Sequence, residues 1–210
     1  MKKIVETILV AFIIFILGSL AGSVIETIVG VFQNGYIEIR QGVLYGPFVP
    51  VYGVGAVVFY YGLSQWKSKK AVFFMGMLLG GITEFVYSFV QESWFGGVSW
   101  DYSNLLFNIQ GRTSLLHCIY WGIFALVFYQ WLIPFFHQFM DKIQRPKIKY
   151  VTAVILVLML CNIGISTMAG IRNYERKKHI QANNVIEEFL DDTYPQNVVD
   201  KIYAEKIKKE

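Results

Sequence analysis

Acidic and polar side chains recur at helical spacing inside an apolar stretch of this 210-residue chain. Glu84 is followed by Tyr87, Ser88, Gln91 and Glu92, which places all of them on one helix face. An ionisable group inside a bilayer costs about 2.5–3.5 kcal/mol on insertion scales, so this face must meet other helices or water. The spacing therefore predicts a buried polar stripe.

Other apolar runs repeat the pattern. The groups with helical spacing are Ser19, Gly22, Ser23 and Glu26; Ser114, His117, Cys118 and Trp121; and Asn162 with Ser166. Gly18 and Gly22 also form a small-xxx-small pair, which predicts close packing of the first helix against a neighbour.

Two interpretations of these polar groups remain open. They either lock helices together through Arg–carboxylate pairs or line a polar cavity that binds a substrate or a headgroup. The candidate cavity residues are Glu26, Tyr45, Tyr52, Glu84, Tyr87, Glu92, Trp100, Asp101, Asn108, Arg112 and His117.

Depth suggests how these charges pair. Glu92 lies about 12 Å beyond Glu84 along a helix, at the depth expected for Arg112. We expect Arg112 to pair with Glu92 or with Asp101, and Glu84 to stay free for a substrate or a proton.

His117 is either a general acid or base or an ordinary packed histidine. Its spacing from Ser114 is weak evidence for a dyad. No H-E-x-x-H motif occurs, and Cys118 and Cys161 lie singly inside apolar runs, where small buried residues are common. We expect no metal, no cofactor and no disulfide.

The elements that must position these residues are membrane helices. The chain is 55% hydrophobic and 16% charged, and its mean hydropathy is +0.45. The apolar runs are 7–31, 48–65, 71–95, 112–136 and 150–169. They predict an all-α integral membrane protein with a bundle of about five transmembrane helices over residues 1–170. The first run is too long for a signal peptide, so we expect it to be retained.

Basic residues predict the orientation of this bundle. With an odd number of helices, one side of the bundle receives most of the basic residues. These are Lys2, Lys3, Lys67, Lys69, Lys70, Lys142, Arg145, Lys147 and Lys149. We expect a multi-pass protein of the cell membrane with a cytoplasmic N-terminus and with Arg40 and Arg112 toward the outside. Arg172, Arg176, Lys177 and Lys178 follow the last run and argue against this assignment.

Residues 42–55 are rich in glycine and proline. Pro47 and Pro50 disfavour a regular helix, and the glycines permit tight turns. The segment is either an ordinary loop or a re-entrant break, which survives at membrane depth only when protein or a cavity surrounds it.

The tail, 171–210, is a short amphipathic segment of different composition. Apolar spacing at Val185–Leu190 and at Val198–Tyr203 predicts two short surface helices, and the alternative is a solvated and partly mobile tail. Thr193 and Gln196 have the spacing of a capping box for the second helix.

Several motifs together resemble a known family. They are the run Gly46–Ala56, then Glu84, Ser88 and Glu92, then Trp100–Ser103, Asn108, Gly111, Arg112, Trp121 and Gly122. In their order and spacing, residues 15–135 are similar to the bacterial CmpB-type ABC-transporter permeases, also called type IV. This resemblance implies the membrane subunit of a transporter and carries over no substrate or catalytic residue.

The leading hypothesis is a membrane-spanning permease subunit with an outward-facing polar cavity. The chain has no G-x-x-x-x-G-K-[ST] phosphate loop, so its energy source would lie on another chain. The expected partners are the lipid bilayer, a separate ATPase subunit or a second copy, and no nucleic acid. The alternatives are an intramembrane enzyme acting on a lipid or lipid-linked substrate, with Glu84 or Glu92, His117 and Arg112 as its working groups, and a non-catalytic membrane scaffold.

Overall fold

The computed structural model describes residues 2–35, 42–143 and 145–203. Their helices are α1 (Lys2–Asn34), α2 (Pro50–Leu63), α3 (Lys69–Phe95), α4 (Leu115–Val127), α5 (Ile133–Ile143), α6 (Pro146–Lys177), α7 (Val185–Thr193) and α8 (Gln196–Ile202). A π-helical turn, Phe128–Leu132, joins α4 to α5. The strands β1 (Asn108–Ile109) and β2 (Thr113–Ser114) form a small antiparallel hairpin between α3 and α4. Arg40, one of the residues used to predict orientation, lies outside the described residues.

The predicted all-α membrane bundle is confirmed. Within the described ranges, four helical stretches are long and apolar enough to cross a membrane: Ile4–Phe32, Lys69–Phe95, Leu115–Gln138 and Pro146–Lys177. The remaining predicted run, 48–65, forms α2, which is apolar but shorter. At 1.5 Å per residue its 14 residues span about 21 Å, less than a hydrocarbon core of about 30 Å.

Contacts at the two ends define two sides of the bundle. The start of α6 meets the start of α1 through Lys149 and Glu6, 2.6 Å apart. The ends of α3 and α6 meet where Gly170 packs on the Phe95 ring. Thus α1, α3 and α6 run in one direction, and α2 and α4–α5 run in the other. We call the end with Glu6 the N-terminal side and the end with the β1–β2 hairpin the hairpin side.

Glycines allow the helices to approach closely. A Cβ atom on Gly18 would lie 2.7 Å from the Ala56 Cβ, and one on Gly22 would overlap the Tyr52 ring. The predicted packing role of Gly18 and Gly22 is therefore confirmed. In the same way, Gly76 of α3 faces Ala125 of α4.

The segment 42–49 is an irregular stretch that packs against α1 and α6. The Val49 amide donates to the carbonyl of Ser19, in the middle of α1, at 3.1 Å. The Leu44 amide donates to Ser166 Oγ at 2.8 Å, and the Asn162 side chain donates to the Tyr45 carbonyl at 2.7 Å. Polar groups of α1 and α6 thus satisfy irregular backbone deep in the bundle, as membrane depth requires. Because α2 begins here, it starts at the level of the middle of α1.

The tail forms the two predicted helices, and they pack back onto α6. Leu190 and Val199 join Leu44 and Ala169 in a buried apolar cluster. The capping box predicted from Thr193 and Gln196 is wrong. Pro195 takes the N-cap position of α8 and offers no side-chain hydrogen bond, whereas α7 is capped by Asn184, which accepts from the Glu187 amide at 3.0 Å.

Charged pairs hold the tail to the end of α6. Arg172 is almost completely buried, and it donates to both oxygens of Asp191, at 2.9 and 2.8 Å. Arg176 also pairs with Asp191, at 2.6 Å, and Lys177 pairs with Asp200. The basic residues that argued against the predicted orientation are therefore partly neutralised by acidic groups of the tail.

Candidate functional site

Glu84 lies near the middle of α3 and is only 6% exposed. The Thr113 hydroxyl donates to its carboxylate at 2.8 Å and the Tyr102 hydroxyl at 3.0 Å. The Trp121 side chain also lies close to this carboxylate. The prediction that Glu84 stays free is therefore wrong, because hydroxyl groups from the hairpin side reach down to it.

A second carboxylate lies nearby. Tyr52, in the first turn of α2, hydrogen-bonds to Glu26 and lies within electrostatic range of Glu84 and Tyr102. Tyr87 of α3 is likewise an electrostatic neighbour of Glu26. These side chains form one group, which we call the carboxylate–tyrosine cluster. Its members are Glu26, Tyr52, Glu84, Tyr87 and Tyr102.

Tight turns bring Tyr102 and Thr113 to this cluster. The Tyr102 amide donates to the Gly111 carbonyl at 2.8 Å, and Gly111 has a φ of 67°, a conformation that glycine adopts at little cost. Burial and the neighbouring Glu84 carboxylate raise the pKa of Tyr102. The phenol is consequently protonated at neutral pH and acts as the donor to Glu84.

Arg112 lies between β1 and β2 and forms a separate polar group with side chains of α3. Its terminal nitrogens bind Glu92 and, at 3.3 Å, Ser88. Its guanidinium lies 5.9 Å from the ring centre of Phe85 and 5.4 Å from that of Phe89. The predicted pairing with Glu92 is confirmed, and it neutralises this cation.

His117 lies beside the cluster. Its ring stacks on Tyr102 with the ring centres 3.7 Å apart, and Nδ1 is 2.9 Å from Ser114 Oγ. Ser114 also serves as the N-cap of α4, since its hydroxyl accepts from the His117 amide. The Ser114–His117 contact thus has a structural role in starting this helix.

The other predicted residues lie outside the cluster or at its edge. Trp100 stacks on Tyr87 and donates to the Arg112 carbonyl at 2.8 Å. Asp101 accepts from the Ser103 amide at 2.9 Å, and Asn108 closes the next turn. Tyr45 is held at α6 and α7, where its hydroxyl is 2.8 Å from that of Tyr194. Asp101 and Asn108 therefore shape the loop.

Sequence reasoning did not select Tyr102 and Thr113 as site residues. Their signal was weak, because neither lies on the helical stripe that contains Glu84. Tyr102 stood only within the aromatic motif Trp100–Ser103.

Among the described residues, no group of three or more His, Cys, Asp or Glu side chains is placed to hold a metal ion.

The chain matches the model of a known protein family. The family described as Putative ABC-transporter type IV matches residues 13–167, which run from the first third of α1 into α6 and include every residue of the cluster. The chain belongs to this family. No curated protein and no solved structure matches it. Membership of the type IV family associates the bundle with transport, and the tail helices lie beyond the matched region.

Proposed function

We propose that the chain is the membrane-spanning permease subunit of a transporter whose substrate passes the carboxylate–tyrosine cluster. The supporting observation is that Glu84, near mid-span in α3, is covered by Tyr102 and Thr113 from the hairpin side. Movement of these two residues away from α3 would open the carboxylate to the hairpin side. In this proposal, that movement opens the outward-facing cavity.

The charge of the cluster favours a positively charged substrate or a coupled proton. Glu26 and Glu84 contribute two carboxylates, and Arg112 is already paired with Glu92. Tyrosine rings favour the same ligands, because their faces attract cations. An organic ammonium ion therefore fits the cluster better than a phosphate or a carboxylate does.

The broken helix supports the same proposal. In many transporters, discontinuous helices place backbone polar groups next to the substrate near the bilayer midplane. Here the break at 42–49 precedes α2, whose first turn contributes Tyr52 to the cluster. The site thus lies where a helix begins inside the membrane.

Energy would come from another chain, since the sequence contains no phosphate loop. We place the N-terminus in the cytoplasm of a cell-membrane protein, following the positive charge of Lys67, Lys69, Lys70 and Arg145 on the N-terminal side. An ATPase partner would then dock on this side, at the short loops before α3 and α6.

Thermal unfolding of the purified chain in detergent tests the ligand class. We expect at least one cation from a panel of ammonium, choline, arginine and spermidine to raise the unfolding temperature of the wild type and not that of Glu84→Gln. Glu188→Gln, which removes an exposed tail carboxylate, should respond like the wild type. Stabilisation of wild type and Glu84→Gln to the same degree, or stabilisation by acetate and phosphate alone, would contradict the proposal.

One observation favours an intramembrane enzyme as a second candidate. The phenol of Tyr102 hydrogen-bonds to Glu84 while its ring stacks on His117, so groups suited to proton transfer adjoin each other. His117→Ala distinguishes the two functions. Loss of cellular function with retained folding favours the enzyme, whereas the permease tolerates the change.

A further inference from the structure

The tip of the loop between α3 and α4 exposes large apolar side chains. Leu106 is 84% exposed, Phe107 77% and Ile109 57%. Residues 102–111 contain no charged side chain. An uncharged loop with such a patch is expected to lie against another apolar surface rather than in water.

The backbone holds this patch in one conformation. Phe107 and Gln110 have φ values of 55° and 54°, which are unfavourable for bulky side chains. Hydrogen bonds hold the turn nonetheless: Asn108 Nδ2 donates to the Leu105 carbonyl at 2.8 Å, and the Gly111 amide donates to Asn108 Oδ1 at 2.9 Å. The apolar side chains are thus presented by an ordered turn.

The patch continues the lipid-facing surface of α4. The Leu115 amide, at the start of this candidate span, donates to the Phe107 carbonyl at 3.2 Å. Leu115 and Leu116, the first two residues of this candidate span, are also exposed. Trp94, half-exposed at the end of α3, marks the same level, because tryptophan is enriched at membrane–water interfaces.

We infer that Leu106, Phe107 and Ile109 form an interfacial anchor that inserts into the lipid leaflet on the hairpin side. The partner is the boundary between headgroups and acyl chains, which accepts apolar side chains and uncharged polar backbone. The anchor fixes the loop relative to the bilayer. Since the same loop carries Tyr102 and Thr113, the anchor also sets the height at which they cover Glu84.

Site-specific fluorescence of the full chain in phosphatidylcholine vesicles tests this inference. Cys118 and Cys161 are first replaced by serine, and a single cysteine at Phe107 carries an environment-sensitive nitrobenzoxadiazole label. We expect blue-shifted emission, quenching by brominated lipid and weak quenching by aqueous iodide. A label at Asn104, an exposed polar position of the same loop, serves as the matched control and should show the reverse.

Two results would overturn the anchor. Equal iodide quenching at positions 107 and 104 would place the tip in water. Shielding of position 107 that disappears when the vesicles contain less protein per lipid would assign the patch to contact with a second copy. A label at Leu106 repeats the test, so misfolding of one variant does not decide the result.

Discussion

Arg112 binds Glu92 and Ser88 through its terminal nitrogens, and its charge lies over the rings of Phe85 and Phe89. Burial of an arginine at this level is tolerable because the guanidinium is paired and its stem lies against aromatic carbon. The residue therefore locks α3 to the loop and leaves the carboxylate–tyrosine cluster without a free cation.

Arg112→Ala should destabilise the protein. Truncation strands Glu92 and removes both ring contacts. We expect a loss of about 1–3 kcal/mol, less than the roughly 3–5 kcal/mol typical of fully buried pairs, because the Glu92 side chain is 31% exposed. Thermal unfolding in detergent measures this loss. Arg112→Met combined with Glu92→Leu should recover part of the stability, and a double variant no better than Arg112→Ala would show that the pair is not what the fold requires.

The spacing of apolar and polar residues along the chain predicts some side-chain contacts and not others. Helical rise and the predicted orientation limited the partner of Arg112 to Glu92 or Asp101, and the structure shows Glu92. The donors to Glu84 did not follow, because Tyr102 and Thr113 reach α3 through a loop whose path depends on turns at Phe107, Gln110 and Gly111. Apolar and polar periodicity contains no information about such turns.

The tail helices are held to α6 by charge as well as by the apolar cluster around Leu190. The Arg172 guanidinium, assisted by Arg176, lowers the pKa of Asp191 below its ordinary value. A carboxyl group whose pKa is depressed by folding stabilises the folded state at pH values above its ordinary pKa, and this stabilisation is lost as the pH falls through the lowered value. The tail should therefore stay docked at neutral pH and loosen only under strongly acidic conditions.

Limited proteolysis checks this prediction. Pepsin at strongly acidic pH should cut the segment between α6 and α8 well before it cuts the bundle. At neutral pH, Asp191→Asn should imitate the protonated carboxyl group and expose Arg176 and Lys177 to trypsin. Asp192→Asn, an exposed neighbour, should behave as the wild type. Equal trypsin resistance of the two variants would mean that the apolar cluster alone holds the tail.

The contact between α1 and α2 depends on glycines, which have no side chain to separate the helices. A methyl group on Gly22 would overlap the Tyr52 ring, while one on Gly55 would meet open space. We expect Gly22→Ala to lower the free energy of unfolding by about 1–3 kcal/mol, as overpacking does, and to shift Tyr52 away from Glu26. Gly55→Ala should be neutral or slightly stabilising. Equal unfolding temperatures for the two variants would show that α1 and α2 are loosely packed.

The sequence predicted the positions of some helices and not of others. The long apolar runs located α1, α3, α4 and α6 because twenty apolar residues have few alternatives to spanning a membrane. The depth of the break at 42–49 did not follow, since it depends on Ser19, Asn162 and Ser166 in distant helices. The start of α8 was misread because Thr193, the expected capping residue, is the last residue of α7, and Pro195 takes the N-cap position instead.

At the scale of the whole molecule, the bundle is asymmetric. The carboxylate–tyrosine cluster, the β1–β2 hairpin and the tail all lie toward the hairpin side, and the short basic loops lie on the N-terminal side. We predict that the N-terminal side is cytoplasmic. In a background without Cys118 and Cys161, a cysteine at Asn104 should react with an impermeant maleimide in intact cells, and one at Lys67 only after lysis. Labelling of Lys67→Cys in intact cells would reverse this orientation.

Glu84→Gln tests the central claim most directly. The amide keeps the shape of the side chain and can still accept from one hydroxyl, so the fold should lose only about 1 kcal/mol. The variant removes the charge that a cationic substrate or a proton would use. In cells lacking the native chain, we expect Glu84→Gln to reach wild-type membrane levels and unfold near the wild-type temperature yet fail to restore function, while Glu188→Gln restores it. Full function of Glu84→Gln would contradict the account and leave the cluster as structure that locks the helices.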